Sequence, residues 1–254
     1  MASRLRGRKV ETRTITEVFE RVNEHGGLGV VPIENSIEGP VNETLDNLFS
    51  RDNIYVIREI EIPVRIVLCV NKDIENGDEI ERLYAQPYAY SEAREKINGL
   101  VKSIKELVPV ESTSKAAVLA SKDSRGAALC SEHAAKLYGL KIIAKDVQSG
   151  PNFTRFFIIS KEPRQKGFKT LIFLTVPHRP GGLYHALEKF YRHNINLTMI
   201  YSRPIKTIPW RYYFHIEFEG SLRLKKVRKA LDDLKEYVEI LKIKGSYTRS
   251  QFQV

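Results

Sequence analysis

The order of apolar patterns over residues 168–254 constrains the fold of this chain more than any other feature of its sequence. Lys169–Val176 is an apolar segment typical of a strand, and Leu183–Phe190 carries apolar side chains at the i, i+3, i+4, i+7 spacing of a helix. A second helix is predicted over Leu224–Val238. Three further strands are predicted at Ile195–Ile205, Arg211–Phe218 and Glu239–Ile243. This order of elements predicts a ferredoxin-like βαββαβ unit of about 80 residues.

Residues 1–161 alternate strand and helix patterns, and they predict a separate α/β domain. The polar segment Glu162–Gly167 is the predicted linker to a second domain over residues 168–254. Strands are predicted at Gly29–Ile33, Ile54–Ile60, Pro63–Val70, Ile80–Ala85, Leu107–Glu111, Ala127–Cys130 and Thr154–Ser160. Helices are predicted after Thr14 and around Leu45–Phe49, Glu92–Leu100, Ser114–Ser121 and Glu132–Leu137. Because βαβ spacing favours strands that run in one direction, we expect a largely parallel sheet.

Charge is distributed unevenly between the two domains. Residues 168–254 carry 16 basic and 7 acidic side chains, whereas residues 1–167 carry 25 and 24. A basic domain suggests nucleic-acid binding, but the basic residues of Arg223–Lys229 lie on one predicted helix whose other face is apolar. Aromatic side chains that would stack on bases are not interleaved with them. We therefore predict a solvated helix face and no nucleic-acid partner.

The sequence also lacks the signals of a membrane or secreted protein. The apolar segment Ile62–Val70 is much shorter than the roughly 20 residues of a membrane span, and it contains Arg65. Met1–Val10 is basic but has no apolar core of a secretory signal. Cys69 and Cys130 lie in apolar segments, which predicts reduced core cysteines. We expect a cytoplasmic protein without a membrane partner.

Three junctions between a strand and a helix place polar residues where ligands bind in α/β folds. Pro32–Pro40 contains Glu34, Asn35 and Ser36, a dense polar group at the end of an apolar strand. Ser114 and Ser131 stand at the other two junctions, where helix N-termini favour anions. The alternative for both serines is an N-cap role, which we favour on the sequence alone.

Two longer strings resemble the signatures of one enzyme family. Val30–Phe49 (VVPIENSIEGPVNETLDNLF) looks like the first signature of prephenate dehydratases, and Thr154–Ile159 (TRFFII) resembles the second. Ser112–Ala117 and Ala127–Leu140 match the intervening segments. The C-terminal unit resembles the ACT regulatory domain, and the resemblance runs in order from about Glu11 onward.

The resemblance implies a two-lobed catalytic domain similar to type II periplasmic binding proteins, with the chain crossing between lobes near Val70 and returning at Thr154. It implies a carbon–oxygen lyase that converts prephenate to phenylpyruvate in L-phenylalanine biosynthesis. We expect no metal and no cofactor, because aromatisation drives the reaction and the six histidines form no ligand cluster. Two alternatives stay open: an arogenate dehydratase, and a non-catalytic sensor that binds an amino acid.

Carried over residue by residue, the resemblance makes Thr154 the essential hydroxyl that donates to the departing ring hydroxyl. Glu34 is either a proton relay or an orienting group, and Asn35 hydrogen-bonds the substrate. Arg155 either pairs with a substrate carboxylate or forms a structural ion pair. The other substrate-binding residues of this set are Ser36, Ser114, Ser131 and Phe156, the last as an apolar wall.

In the ACT unit, the resemblance predicts a site for L-phenylalanine as feedback effector at a subunit interface of a homodimer or homotetramer. Two motifs form it, Pro180–Leu183 and Tyr201–Pro204. The effector-binding residues of these motifs are Gly181, Gly182, Leu183, Ser202, Arg203 and Pro204.

The sequence departs from the family pattern in three places. The first strand and Gly-Pro-x-Gly-Thr loop of family members have no counterpart in this sequence, so we expect an unpaired sheet edge or a gap. Ala85–Tyr88 stands where the family has Ser-His-Pro-Gln. Tyr201 stands where the family has glutamate, which predicts weaker recognition of the ammonium group of phenylalanine.

Overall fold

The computed structural model describes residues 8–75, 80–101 and 104–251. Most of the basic segment Met1–Val10 therefore lies outside the described residues. The chain divides into two compact units, of which the first combines Met1–Ile62 with Thr154–Val254 and the second is Pro63–Phe153.

The secondary structure of the described residues alternates helices and strands. The strands are β1 (Gly29–Asn35), β2 (Gly39–Pro40), β3 (Tyr55–Pro63), β4 (Val67–Val70), β5 (Arg82–Ala85), β6 (Glu106–Pro109), β7 (Gly126–Cys130), β8 (Lys141–Ala144), β9 (Phe153–Ser160), β10 (Lys169–Thr175), β11 (Leu197–Pro204), β12 (Tyr212–Glu219) and β13 (Ile240–Gln251). The helices are α1 (Ile15–His25), α2 (Asn42–Ser50), α3 (Pro87–Leu100), α4 (Thr113–Ser121), α5 (Glu132–Leu137), α6 (Gly182–Arg192) and α7 (Lys225–Leu234).

The C-terminal part of the first unit has the predicted βαββαβ order, with strands arranged β11-β12-β10-β13. Apolar side chains of β10, α6, β12 and α7 form its core, where Phe190 and Leu231 pack from the two helices. The basic residues of α7 are exposed and its apolar residues Val227 and Leu234 are buried, which confirms the predicted solvated face. Helical periodicity alone was therefore sufficient to orient this helix.

The sheet of this βαββαβ part continues into the N-terminal part of the same unit. The last strand, β13, is longer than predicted, and its end at Thr248–Gln251 pairs in parallel with Arg58–Glu61 of β3. The complete order is β11-β12-β10-β13-β3-β9-β1-β2. This shared sheet places β9, the strand that carries the second signature, two strands from β13 of the βαββαβ part.

The strands that carry the two signatures, β1 and β9, are antiparallel neighbours. Their apolar side chains, among them Val31, Ile33, Phe157 and Ile159, are fully buried and hold the ladder against α1 and α2. On its other side β1 pairs with β2 at Glu34 and Asn35. In the described part of the chain no strand pairs with Gly29–Val31 on that side, and a cavity of about 670 Å³ lies beside it.

The second unit contains a five-stranded sheet with the order β6-β5-β7-β4-β8. β5 is parallel to β6 and β7, whereas β4 is antiparallel to β7 and β8. The prediction of a largely parallel sheet is therefore wrong, and both sheets are mixed. Helices α3 and α4 provide the crossovers that parallel pairing needs, but β4, β8 and β9 join their sheets without such a crossover.

Cys69 and Cys130 are fully buried, unbridged, and have sulfur atoms 3.1 Å apart, as expected for reduced core residues. In the described part of the chain, no helix combines the length and the apolar composition that crossing a bilayer requires.

Candidate active site

Asn35 and Thr154 face each other in the β1–β9 ladder. The Asn35 Nδ2 donates to Thr154 Oγ1 at 3.1 Å, although the two residues are 119 positions apart in sequence. The Asn35 Oδ1 accepts the backbone N–H groups of Ile37 and Glu38, at 3.0 and 3.1 Å, in the turn between β1 and β2. These two donors fix the amide orientation, so its NH2 group must face the threonine. The Thr154 oxygen accepts this bond, which leaves the hydroxyl hydrogen available for another acceptor.

Arg155 is held by three carboxylates from three different strands. Its Nη1 donates to Glu34 Oε2 at 2.6 Å, and its Nη2 donates to Glu59 Oε2 at 2.8 Å and to Glu217 Oε2 at 2.6 Å. Lys169 Nζ lies 3.5 Å from Glu59 and 3.8 Å from Glu217. Because successive side chains of a strand point to opposite faces, this cluster lies on the face of β9 opposite Thr154. We call these five residues the Arg155 network.

The Glu217 carboxylate of the Arg155 network stays ionised in spite of its burial. Burial raises the pKa of Glu217, but the hydrogen bond from His215 and the charge of Arg155 outweigh it and hold that pKa well below the usual range. Burial lowers the pKa of Arg155, and the charges of Glu217 and Glu59 raise it by more. Tyr247 donates to Glu217 Oε2 at 2.6 Å, and burial beside that carboxylate raises the pKa of its hydroxyl. The cluster is therefore a set of paired charges with a neutral tyrosine donor.

This arrangement bears on the predicted roles of Glu34 and Arg155. The described contact of the Glu34 carboxylate is its ion pair with Arg155, on the face of the ladder opposite the Thr154 hydroxyl. Of the two roles predicted for Arg155, the structure displays the structural ion pair. The relay role of Glu34 and the substrate contact of Arg155 remain predictions.

The remaining predicted substrate residues fall in both units. Ser36 lies in the turn between β1 and β2, and the half-buried Phe156 lies two residues beyond Thr154, on the same face of β9. In the second unit, Ser131 caps α5 by accepting the N–H of Ala134 at 3.1 Å. The cap of α4 is Ser112, and Ser114 is the second residue of that helix. The N-cap alternative is therefore confirmed for Ser131. It is wrong for Ser114, because Ser112 is the residue that caps α4.

The predicted effector residues lie at the start of α6 and the end of β11. Gly181 has a φ of 80°, which favours glycine, and Leu183 follows in the first turn of α6. A Cβ on Gly182 would lie 2.5 Å from the carbonyl oxygen of Pro177, so the fold itself requires glycine there. Ser202 and Pro204 are exposed on the edge strand.

Arg203, which lies between Ser202 and Pro204, forms an ion pair within the same chain. Its Nη2 pairs with Asp46 Oδ2 of α2 at 2.8 Å, and the Tyr213 hydroxyl donates to Asp46 Oδ1 at 2.6 Å. Burial raises the pKa of Asp46, but the hydrogen bonds from Arg203 and Tyr213 lower it by more. Arg203 therefore joins strand β11 of the βαββαβ part to helix α2, which belongs to the first signature.

Sequence reasoning missed three acidic residues of this region: Asp46, Glu59 and Glu217. Glu217 stands between Ile216 and Phe218 in a strand, and a carboxylate in such a place requires a buried cation or donor. The signal is weaker for Glu59, which stands between Arg58 and Ile60. A carboxylate in such a place can therefore be predicted from the sequence to have a buried partner, but the sequence does not identify that partner. Among the described residues, no group of three or more histidine, cysteine, aspartate or glutamate side chains is arranged to hold a metal ion.

Comparison with known proteins assigns this geometry to a class. The family model for prephenate dehydratase matches residues 3–164, and the model for the ACT domain matches residues 170–236. The bifunctional chorismate mutase/prephenate dehydratase of Aquifex aeolicus is 42% identical over 245 residues, which cover 94% of this chain and 66% of the Aquifex protein. This chain thus spans slightly less than two thirds of the length of that relative.

Two solved structures share the fold with a TM-score of 0.83. One is the prephenate dehydratase of Arthrobacter aurescens in complex with L-Phe, which is 29% identical and matches 94% of this chain and 81% of its own. The other is GqqA, described as a novel type of quorum quenching acylase, which is 26% identical and matches 94% of this chain and 88% of its own. The chain belongs to the prephenate dehydratase family and carries a C-terminal ACT domain.

Proposed function

We propose that this chain converts prephenate to phenylpyruvate, with loss of carbon dioxide and water. The hydrogen bond between Asn35 Nδ2 and Thr154 Oγ1 carries the proposal, because it joins the two family signatures at one hydroxyl. Membership of the family and the match over 94% of the chain to an Aquifex aeolicus relative support it.

The chemistry requires a donor rather than a base at Thr154. As the carboxylate on the prephenate ring leaves as carbon dioxide, its bonding electrons enter the ring and expel the ring hydroxyl, which takes up a proton and departs as water. The Thr154 hydroxyl donates a hydrogen bond to this departing oxygen, and Asn35 fixes the direction of that donation. Aromatisation supplies the driving force.

The other predicted contacts are part of the proposal. Asn35, Ser36, Ser114, Ser131 and Phe156 bind the substrate, and Glu34 acts through Arg155 as an orienting group. The catalytic domain covers residues 1–161 and the ACT domain residues 168–254. The protein works in the cytoplasm as a homodimer or homotetramer.

The decisive test is the appearance of phenylpyruvate from prephenate in the presence of purified protein. Arogenate in a parallel assay tests the alternative substrate, for which the product is phenylalanine. Turnover of neither substrate, together with retained binding of an amino acid, would replace the proposal by the non-catalytic sensor.

A second candidate function, amide hydrolysis, is suggested by the structural similarity to the acylase GqqA. A hydroxyl nucleophile needs an adjacent base, and the described partner of Thr154 Oγ1 within its own unit is an amide donor, Asn35 Nδ2. This contact favours the dehydratase. Release of free amine from an N-acyl amide at a rate above that of prephenate turnover would reverse the order of the two candidates.

Asn35→Asp is expected to lower kcat at least about tenfold, because misdirecting a proton donor forfeits part of the roughly 10²–10⁴-fold that a positioned donor contributes. The carboxylate still accepts the N–H groups of Ile37 and Glu38, so the turn is kept, but it accepts the Thr154 hydrogen instead of donating to the oxygen. Steady-state kinetics with a thermal unfolding control measure the effect. A raised KM at unchanged kcat would show instead that Asn35 binds the substrate equally in ground and transition states.

We also propose that L-phenylalanine binds the ACT domain and inhibits the enzyme, through Gly181, Gly182, Leu183, Ser202, Arg203 and Pro204. The L-Phe complex of the Arthrobacter aurescens protein supports this proposal.

Tyr201→Glu is expected to tighten phenylalanine binding about tenfold, because a carboxylate accepts a charge-assisted hydrogen bond from the ammonium group. Tyr201→Gln, which has no charge, is the matched control in calorimetric titrations. Equal affinity of the two variants would contradict the account.

A further inference from the structure

The ACT domain reaches Arg155 through two neighbouring strands. Glu217 of β12 pairs with the Arg155 Nη2 at 2.6 Å, and the Met199 sulfur of β11 lies 4.0 Å from Nη1. In the β11–β12 ladder, Met199 is the register partner of Glu217, and Tyr201 is the register partner of His215. Tyr201, the first residue of the proposed effector motif, therefore lies directly across the ladder from His215, which contacts Glu217.

Glu217 is fixed on the ACT side of this contact. Its side chain is fully buried, His215 Nε2 lies 3.0 Å from Oε1, and the Tyr247 hydroxyl donates to Oε2 at 2.6 Å. Both partners belong to strands of the ACT sheet, β12 and β13. Because Glu217 is held at both oxygens, a shift of β12 either carries the Arg155 guanidinium with it or breaks the ion pair.

On its other side, Arg155 is part of the strand that carries the proposed catalytic hydroxyl. It adjoins Thr154 in the chain and pairs with Glu34, which adjoins Asn35. A displacement of Arg155 therefore changes the ladder at the point where Asn35 donates to Thr154. The shared backbone of β9 is the route that the proposal needs from one face of the sheet to the other.

A buried ion cluster of this kind is weak evidence of a stabilising role. Taking several charges out of water costs more than their attraction returns in many proteins, and apolar residues of similar volume often replace such clusters without loss. Glu59 and Glu217 are both almost completely buried, and both bond the same Arg155 nitrogen. Glu59, from β3, would satisfy much of the Arg155 charge without a carboxylate from the regulatory domain.

We propose that Glu217 is a positioning residue, which couples the effector state of the ACT domain to the Asn35–Thr154 pair through Arg155. This inference rests on the proposed function and names the route by which that site is regulated. Glu59 offers a matched comparison, because it binds the same guanidinium nitrogen from the catalytic domain.

The test compares Glu217→Gln with Glu59→Gln. Inhibition of prephenate turnover by phenylalanine is measured beside phenylalanine binding by calorimetry. In Glu217→Gln we expect the inhibition constant to rise at least tenfold while the dissociation constant stays within threefold, a loss within the usual range of allosteric coupling. In Glu59→Gln we expect both constants to stay within threefold of the wild-type values. Equal changes in the two variants, or wild-type inhibition in Glu217→Gln, would overturn the inference, since a merely structural cluster does not distinguish the two carboxylates.

Hydrogen exchange of the segment 153–160 gives a second readout that needs no turnover. Phenylalanine should change the exchange of this segment in the wild type and in Glu59→Gln but not in Glu217→Gln. If prephenate is not converted while this exchange pattern appears, the proposed function fails and the coupling stands. If prephenate is converted but phenylalanine leaves the exchange of the wild-type segment unchanged, the function stands and the coupling is overturned.

Discussion

Arg155→Met is expected to destabilise the protein by about 3–5 kcal/mol, the usual cost of removing one partner from a buried ion pair. The substitution keeps much of the side-chain volume but leaves Glu59 and Glu217, which are 1% and 0% exposed, without their principal cation. Urea unfolding at neutral pH measures the loss. The control is Arg21→Met, because Arg21 pairs with Glu17 at 3.0 Å and is 45% exposed. For such an exposed pair we expect a loss of less than about 1 kcal/mol.

The pH dependence of this loss gives a further check. The pKa of Glu217 is lowered in the folded protein, so its stabilising contribution is present above the pKa of an unfolded glutamate and is lost as the pH falls toward the folded value. In Arg155→Met the Glu217 carboxylate loses the charge of Arg155 and takes up a proton at higher pH than in the wild type. The stability difference between the two proteins should therefore narrow as the pH falls from 7 toward 4. A difference that is independent of pH would point to lost packing rather than to lost charge.

Thr154→Ala is expected to lower kcat at least roughly a hundredfold while the protein stays folded, within the usual range for a positioned proton donor. The hydroxyl is half-buried, and Asn35 Nδ2 bonds it from the opposite strand, so its removal takes away the donor and leaves the amide without its partner. Thr154→Ser keeps the hydroxyl and should retain most of the turnover. Kinetics of phenylpyruvate formation, with thermal unfolding of each variant, measure the effect. Near wild-type kcat in Thr154→Ala would remove this residue from the mechanism.

The helices and strands of the ACT domain followed from local sequence patterns, but the direction of strand pairing did not. Helix α7 shows its apolar face through the spacing of Val227, Leu231 and Leu234, all of which lie within two turns. No comparable local pattern indicates that β9 returns antiparallel beside β1, because residues 63–153 of the intervening chain form a separate unit. The prediction of a largely parallel sheet failed at this point.

The sequence by itself determined which residues stand in the two signatures, and the resemblance selected Asn35 and Thr154 among them. Their hydrogen bond, across 119 positions, depends on a strand register that only the folded ladder sets. The partners of Arg155 were decided in the same way. Glu34, Glu59 and Glu217 come from three strands, and burial on one sheet face brings them to a single guanidinium. Periodicity and capping act over a few residues, so they can be predicted from the sequence. The pairing of buried charges depends on which strands become neighbours, which only the tertiary structure decides.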